Sequence, residues 1–162
     1  MQNILIAILI SSMATVAFAD GHSNNEEAVL AALDKYYTAR DTGDFATVVA
    51  MESQAGTYNT NSDGSFHKPY SKTSQKDWER TFEAGTLTKV HYPEASALFN
   101  DVVLVRFYAE GMIVSDSKAT PYRTRVTMNW VSEKGNWVVK SSHYSPANYG
   151  GVHQTQTSDF DD

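Results

Sequence analysis

Cysteine is absent from the 162 residues. That excludes a thiol nucleophile, a thiolate metal site and any reliance on disulfides. Positive charge is scarce: 13 Lys and Arg stand against 19 Asp and Glu, a formal net charge of −6, with no basic run. Such a chain lacks the electrostatic footprint of a nucleic-acid binder, and no nucleic-acid partner is expected. No internal repeat or linker-like stretch divides the sequence. One domain is expected, large enough to bury roughly two-thirds of the surface its unfolded chain exposes. His22, His67, His91, His143 and His153 contain no pair at zinc-ligand spacing, and no G-x-S-x-G elbow surrounds any serine. No metal and no cofactor are expected.

A long hydrophobic run is missing as well. In MQNILIAILISSMATVAFA, residues 1–19, the apolar core runs only from Ile4 to Ile10, and the segment closes on the small-x-small pattern Ala17-Phe18-Ala19. A membrane span needs about 20 apolar residues. The pattern predicts a cleaved export signal over 1–19, with a retained N-terminal anchor as the alternative. The protein is then expected in the periplasm or secreted, free of the membrane after cleavage. The folded domain is expected over 20–147. Residues 148–162, rich in Gly, Thr and Gln and ending Asp159-Phe160-Asp161-Asp162, predict a disordered acidic tail.

Helical spacing comes first in the chain. Ser23 and Glu26 have capping-box spacing, and Val29, Leu30, Leu33, Tyr36 and Tyr37 form an apolar stripe up to Arg40. Gly43 stops that helix, and Asp44 caps a short second one carrying Phe45, Val48, Val49 and Met51. A third starts at Ser74, with Trp78 and Phe82 on one face and Gly85 at its end. From Thr86 the period becomes two. Residues 87–99, 102–114, 122–131 and 137–145 predict four strands of a meander, with a short edge strand over 57–60. The fold class is α+β: three N-terminal helices on one face of a curved antiparallel sheet, a cone with room for a cavity.

Alternate residues of a strand face opposite ways. Leu104, Arg106, Tyr108, Glu110 and Met112 share one face; Val103, Val105, Phe107, Ala109 and Ile113 share the other. Arg123, Arg125, Thr127 and Asn129 oppose Tyr122, Thr124, Val126, Met128 and Trp130. Trp137, Val139, Ser141, His143 and Ser145 oppose Val138, Lys140, Ser142 and Tyr144. Either the apolar faces meet the helices and the mixed faces meet water, or Arg106 and Arg125 point into the cone and a partner subunit covers the apolar face. Large residues on both faces, Tyr108 and Tyr144 against Phe107 and Trp130, argue for a homodimer through the sheet.

TRVTMNWVSEKGNWVVKSSHYSPA, Thr124 to Ala147, resembles the C-terminal hairpin of the nuclear-transport-factor-2-like superfamily. It is most like the SnoaL-like members and the association (hub) domain of calcium/calmodulin-dependent protein kinase II. VVLVRFYAEG resembles the preceding strand and KDWERTFEAG the third helix. The resemblance implies a cone-shaped fold that hosts isomerases, dehydratases, cyclases, epoxide hydrolases and non-catalytic hubs. It also implies that Arg125 and Arg106 point into the cone and hold a small carboxylate. A further hub arginine falls at Tyr144, and the hub's pocket histidine falls near Glu79; both are departures.

Two functions from different classes follow. The first is a dimeric binding domain whose cone holds a small anionic or polar-aromatic ligand through Arg106, Arg125 and Tyr144, with Tyr108 and Trp78 alongside. The second is an isomerase-, dehydratase- or polyketide-cyclase-like enzyme with His91, Glu110 or His143 as acid/base. A purely oligomerising module is a third reading. Glu110 is also a candidate counter-charge for Arg106. Asn59 to Gly64, NTNSDG, starts like a calcium loop, but Tyr70 stands where the closing glutamate belongs, and a plain turn is expected. Tyr36 and Tyr37 read as core packing.

Overall fold

A computed structural model describes residues 20–60, 69–82, 86–115 and 117–147. Residues 1–19, where an export signal is expected, residues 148–162, where a tail is expected, most of the calcium-like loop and Gly85 lie outside these residues.

Helix α1, Asp20–Asp41, buries Val29, Leu33, Tyr36, Tyr37 and Arg40 along one stripe. Ser23 lies inside the helix and not at its cap, and Glu26 instead accepts the Ala97 N–H of a strand at 2.8 Å. The end is built by Gly43 at φ 71°. The Asp44 N–H reaches Ala39 O at 2.9 Å and the Gly43 N–H reaches Arg40 O at 3.3 Å. These are the paired bonds of a Schellman turn, which satisfy the orphan carbonyls of the last turn. Asp44 then caps α2, Phe45–Ala50, by accepting the Thr47 N–H at 3.1 Å.

After α2 the chain runs parallel to the last strand. The Val139 N–H bonds Met51 O at 2.8 Å and the Ser53 N–H bonds Val139 O at 2.9 Å, which pins Glu52 opposite Val139. Strand β1, Tyr58–Thr60, follows. Helix α3, Gln75–Thr81, starts at the capping box of Ser74 and Asp77. Strands β2, Thr86–Phe99, β3, Val102–Ser115, β4, Lys118–Glu133, and β5, Asn136–Pro146, complete a sheet of order β1-β5-β4-β3-β2. The edge strand β1 pairs parallel to β5, so the sheet is mixed where an antiparallel one was expected. Lys134 and Gly135, at φ 54° and 81°, make the two-residue turn whose twist suits a hairpin.

The apolar faces meet the helices. Val103, Val105, Phe107, Ala109, Val126, Met128 and Trp130 are buried against the stripe of α1, with Trp130 0% exposed. The Phe107–Trp130 face, which one reading gave to a partner subunit, is thus covered by the chain's own helices. One strand breaks the expected alternation. The β4–β5 register shifts between Asn129 and Trp130, leaving Lys140 as an extra residue. Beyond this bulge the faces exchange, so Val139 is buried along with Ser142, and Ser141 and His143 turn outward.

Candidate functional site

A cavity of about 680 Å³ lies between α1, α3, the segment 69–73 and the inner ends of the sheet. Its floor is made by Tyr36 and Arg40 of α1, Glu52 and Tyr144; Trp78 and Phe82 of α3 wall one side; Lys72 and Arg80 stand among its lining residues. Trp78 stacks between Phe45, with ring centres 6.0 Å apart, and Phe82, at 5.3 Å.

Arg40 is the unusual element. A charged residue at the last position of an apolar stripe is carried into the core, where it is 3% exposed. Its Nη1 donates to Tyr144 Oη at 3.2 Å. The guanidinium centre lies 4.7 Å from the Tyr37 ring, 5.2 Å from Trp78, 5.8 Å from Tyr36 and Phe82, and 5.9 Å from Tyr144. Ring quadrupoles attract a cation at this range, more so when water is excluded. Among the described residues no carboxylate reaches ion-pair distance of Arg40. A buried charge without a counter-ion is costly, and the aromatic ring set offsets only part of that cost.

Glu52 is 5% exposed. Its Oε1 accepts the Tyr36 hydroxyl at 3.0 Å. Burial pushes its carboxyl from 4.5 up to about 7, against the opposing pull of the Tyr36 bond, the nearby Trp78 indole and the Arg40 charge. Burial also pushes the Tyr36 and Tyr37 phenols well above their usual range, so both stay neutral donors. Among the described residues, Arg40 Nε, Glu52 Oε2 and Trp78 Nε1 are buried without a hydrogen-bond partner. Buried polar groups are normally satisfied; the Trp78 indole lies close enough to act on the Glu52 carboxyl, which leaves Arg40 Nε as the exception at the cavity, while Thr88, Thr124 and Trp130 are exceptions away from it. The arrangement supplies a fixed cation, neutral hydroxyl donors and one carboxyl poised to hold or release a proton near neutrality.

The sequence-predicted residues divide between two faces. Trp78 and Tyr144 line the cavity. Arg106 and Arg125 do not: both lie on the opposite, outer face of the sheet. The Arg106 side chain is 72% exposed and pairs with Glu94, not with Glu110, which instead accepts from Arg123 Nε at 2.8 Å. Arg125 is exposed and donates to Pro146 O at 3.2 Å. Tyr108 and His91 share that outer face, their rings 5.9 Å apart. His143 is exposed there too, with Nδ1 2.6 Å from Thr60 Oγ1, beside a shallow hollow shared with Thr127, Asn129 and Ser141. Glu79 is exposed and accepts from Gln75 at 2.8 Å. The strand parity was right for β3 and β4; the covered face is the reverse of what placed the two arginines inside. Arg40 and Glu52 carried a signal that was missed: Arg40 closes the apolar stripe of α1, and Glu52 follows the largely apolar run of α2. Among the described residues no group of three ligating side chains could hold a metal.

A comparison with curated proteins finds no significant relative. Among solved structures, the association domain of C. elegans CaMKII is similar at 12% identity and TM-score 0.61, covering 78% of this chain and 98% of its own. The S. rosetta CaMKII hub is 19% identical at TM-score 0.60, covering 75% and 96%. An NTF2-like protein of unknown function from Pseudomonas putida KT2440 is 12% identical at TM-score 0.62, covering 83% and 94%. These likenesses establish the NTF2-like fold. The SnoaL-like domain family model matches residues 29–149, from the first core valine of α1 past the end of β5. The chain belongs to the SnoaL-like domain family.

Proposed function

We propose that this protein binds a small organic anion in the cavity, with Arg40 as its anchor. The observation that carries this is the Arg40 guanidinium: buried, ringed by five aromatic side chains, without a carboxylate at ion-pair distance among the described residues, and lining a cavity of about 680 Å³. A guanidinium fork matches a carboxylate's two oxygens. The stacked Trp78 and Phe82 favour a ligand with a flat apolar body, and the volume suits a small-molecule ligand. Thermal-shift measurements with acetate, benzoate and malonate test it. At least one carboxylate should raise Tm in the wild type and none in Arg40→Met; a wild type unmoved by every one sinks the reading.

A second reading is an enzyme of isomerase, dehydratase or cyclase type, with Glu52 and not His91, Glu110 or His143 as acid/base. The position of its pKa at about 7 favours this, because proton transfer is most effective near the working pH. Loss of turnover in Glu52→Gln with ligand affinity retained separates it from binding alone.

Export through residues 1–19 is part of the proposal, supported by the apolar segment and its small-x-small end. N-terminal sequencing of the protein recovered from the periplasm or medium tests it. Self-association is supported by the likeness to association domains and by exposed Leu87, Leu98 and Phe99 along β2. A monomeric mass by light scattering excludes it.

A further inference from the structure

We propose that anion capture at Arg40 is coupled to protonation of Glu52, so that the cavity takes up its ligand together with a proton. The inference rests on the anion-binding reading and deepens it by naming the group that answers the ligand's charge.

The geometry sets the coupling. Glu52 and Arg40 line one cavity, and Tyr36 bridges them: its hydroxyl bonds Glu52 Oε1 at 3.0 Å and its ring lies 5.8 Å from the guanidinium centre. Glu52 is held at the cavity by the Tyr36 hydroxyl on Oε1 and by a backbone fixed on both sides of it through the bonds of Met51 and Ser53 to Val139. In the empty cavity, the Arg40 charge favours the ionised form of Glu52. A ligand carboxylate on Arg40 neutralises that field and adds a like charge beside Glu52. Two carboxylates sharing a poorly hydrated site cannot both stay ionised, and one takes a proton. The ligand is held by the permanent guanidinium, so the proton goes to Glu52. Protonation also turns Glu52 from a pure acceptor into a donor, through Oε2, the oxygen that the Tyr36 hydroxyl does not hold.

The other ionisable groups around Glu52 do not replace it in this role. From α1, Tyr36 and Tyr37 are held neutral by burial. From α3, Asp77 is capped by Ser74 and paired with Arg80 at 3.0 Å, and its carboxyl sits below the usual range because of the Ser74 bonds. From β5, the Lys140 amine is bound by Ser53 Oγ at 3.2 Å, Gly56 O at 3.0 Å and Tyr70 Oη at 3.0 Å, while Tyr144 accepts from Arg40. From β4, Glu133 accepts the Ser53 hydroxyl at 2.6 Å, and Tyr122 reaches the cavity as a phenol. Lys72, before α3, is an exposed cation among the lining residues.

Isothermal titration with benzoate from about pH 6 to about pH 9 tests the coupling. Benzoate stays ionised throughout, so any pH dependence belongs to the protein. The expected result is a Kd that is nearly flat at the acid end and weakens by up to about tenfold per pH unit above neutrality. The apparent enthalpy should also change between buffers of different ionisation enthalpy, with the sign of proton uptake. Glu52→Gln should bind benzoate with a pH-independent Kd. A flat wild-type profile, or proton release, overturns the coupling while leaving anion binding intact, provided Arg40→Met still abolishes binding. Failure of benzoate to bind, or equal binding by Arg40→Met, overturns both.

Discussion

The Tyr36 hydroxyl donates to Glu52 Oε1 at 3.0 Å, tying the buried stripe of α1 to the bridge that follows α2. Tyr36 is 3% exposed and also meets Trp130 edge-on at 6.0 Å, so its ring is core and its hydroxyl is site. Tyr36→Phe keeps the ring and removes the donor. It should cost about 1–3 kcal/mol, and more on the alkaline side of neutrality, where the bond is made to a charged acceptor. Thermal melts on both sides of neutrality measure this; equal losses at both would mean that Glu52 does not ionise in the folded state.

Wild-type stability should fall as pH rises from about 4.5 to about 7. The folded Glu52 carboxyl, pushed up to about 7 from its ordinary 4.5, holds a proton that the unfolded chain has already lost. In that window the folded state binds more protons, so stability declines with pH, by about 3 kcal/mol once above neutrality. Glu52→Gln cannot ionise and should flatten this part of the profile. Denaturant melts across the window check it; a mutant profile parallel to the wild type would assign the dependence to another group.

Arg106→Ala and Arg125→Ala should leave ligand-induced stabilisation untouched. Arg106 forms an exposed pair with Glu94, and such pairs are worth at most about 1 kcal/mol. Trp130→Glu should abolish the fold and not yield a soluble monomer. Trp130 is 0% exposed beneath α1, and a charge there has no partner. Circular dichroism decides: a folded Trp130→Glu protein of halved mass would restore the apolar sheet face as an interface.

The element order and the starts of α2 and α3 were legible because each rests on local chemistry. The Gly43–Asp44 turn, the Ser74 cap and the two-residue periods of β3 and β4 leave few alternatives. The site was less legible because burial of a face is a non-local property. Period two says that Arg106 and Phe107 point opposite ways, but only the packing of α1 says which way is in. The Lys140 bulge then undid the alternation in β5, and no turn residue announces it. Arg40 closes the stripe at a helix C-terminus, where a cation suits the dipole in any case, so its charge does not by itself mark a site.

Arg40→Met should separate stability from binding. The wild-type guanidinium loses hydration in a site where, among the described residues, no carboxylate comes within ion-pair distance and its Nε has no partner. Ring contacts and one bond to Tyr144 offset this only in part. Methionine fills much of the same volume, carries no charge and makes favourable contacts with aromatic rings. Replacing a buried charge with a packed apolar group is often neutral or stabilising by about 1–4 kcal/mol. The variant should therefore melt at or above the wild-type temperature without ligand, and lose all stabilisation by carboxylates. Arg40→Lys should keep the charge but lose the fork, weakening binding while lowering stability, since an ammonium is more strongly hydrated and costs more to bury. Melting curves of the three proteins with and without benzoate test both arms. An Arg40→Met protein that is destabilised by several kcal/mol would make the guanidinium a structural element of the core, held for its contacts and not for a ligand.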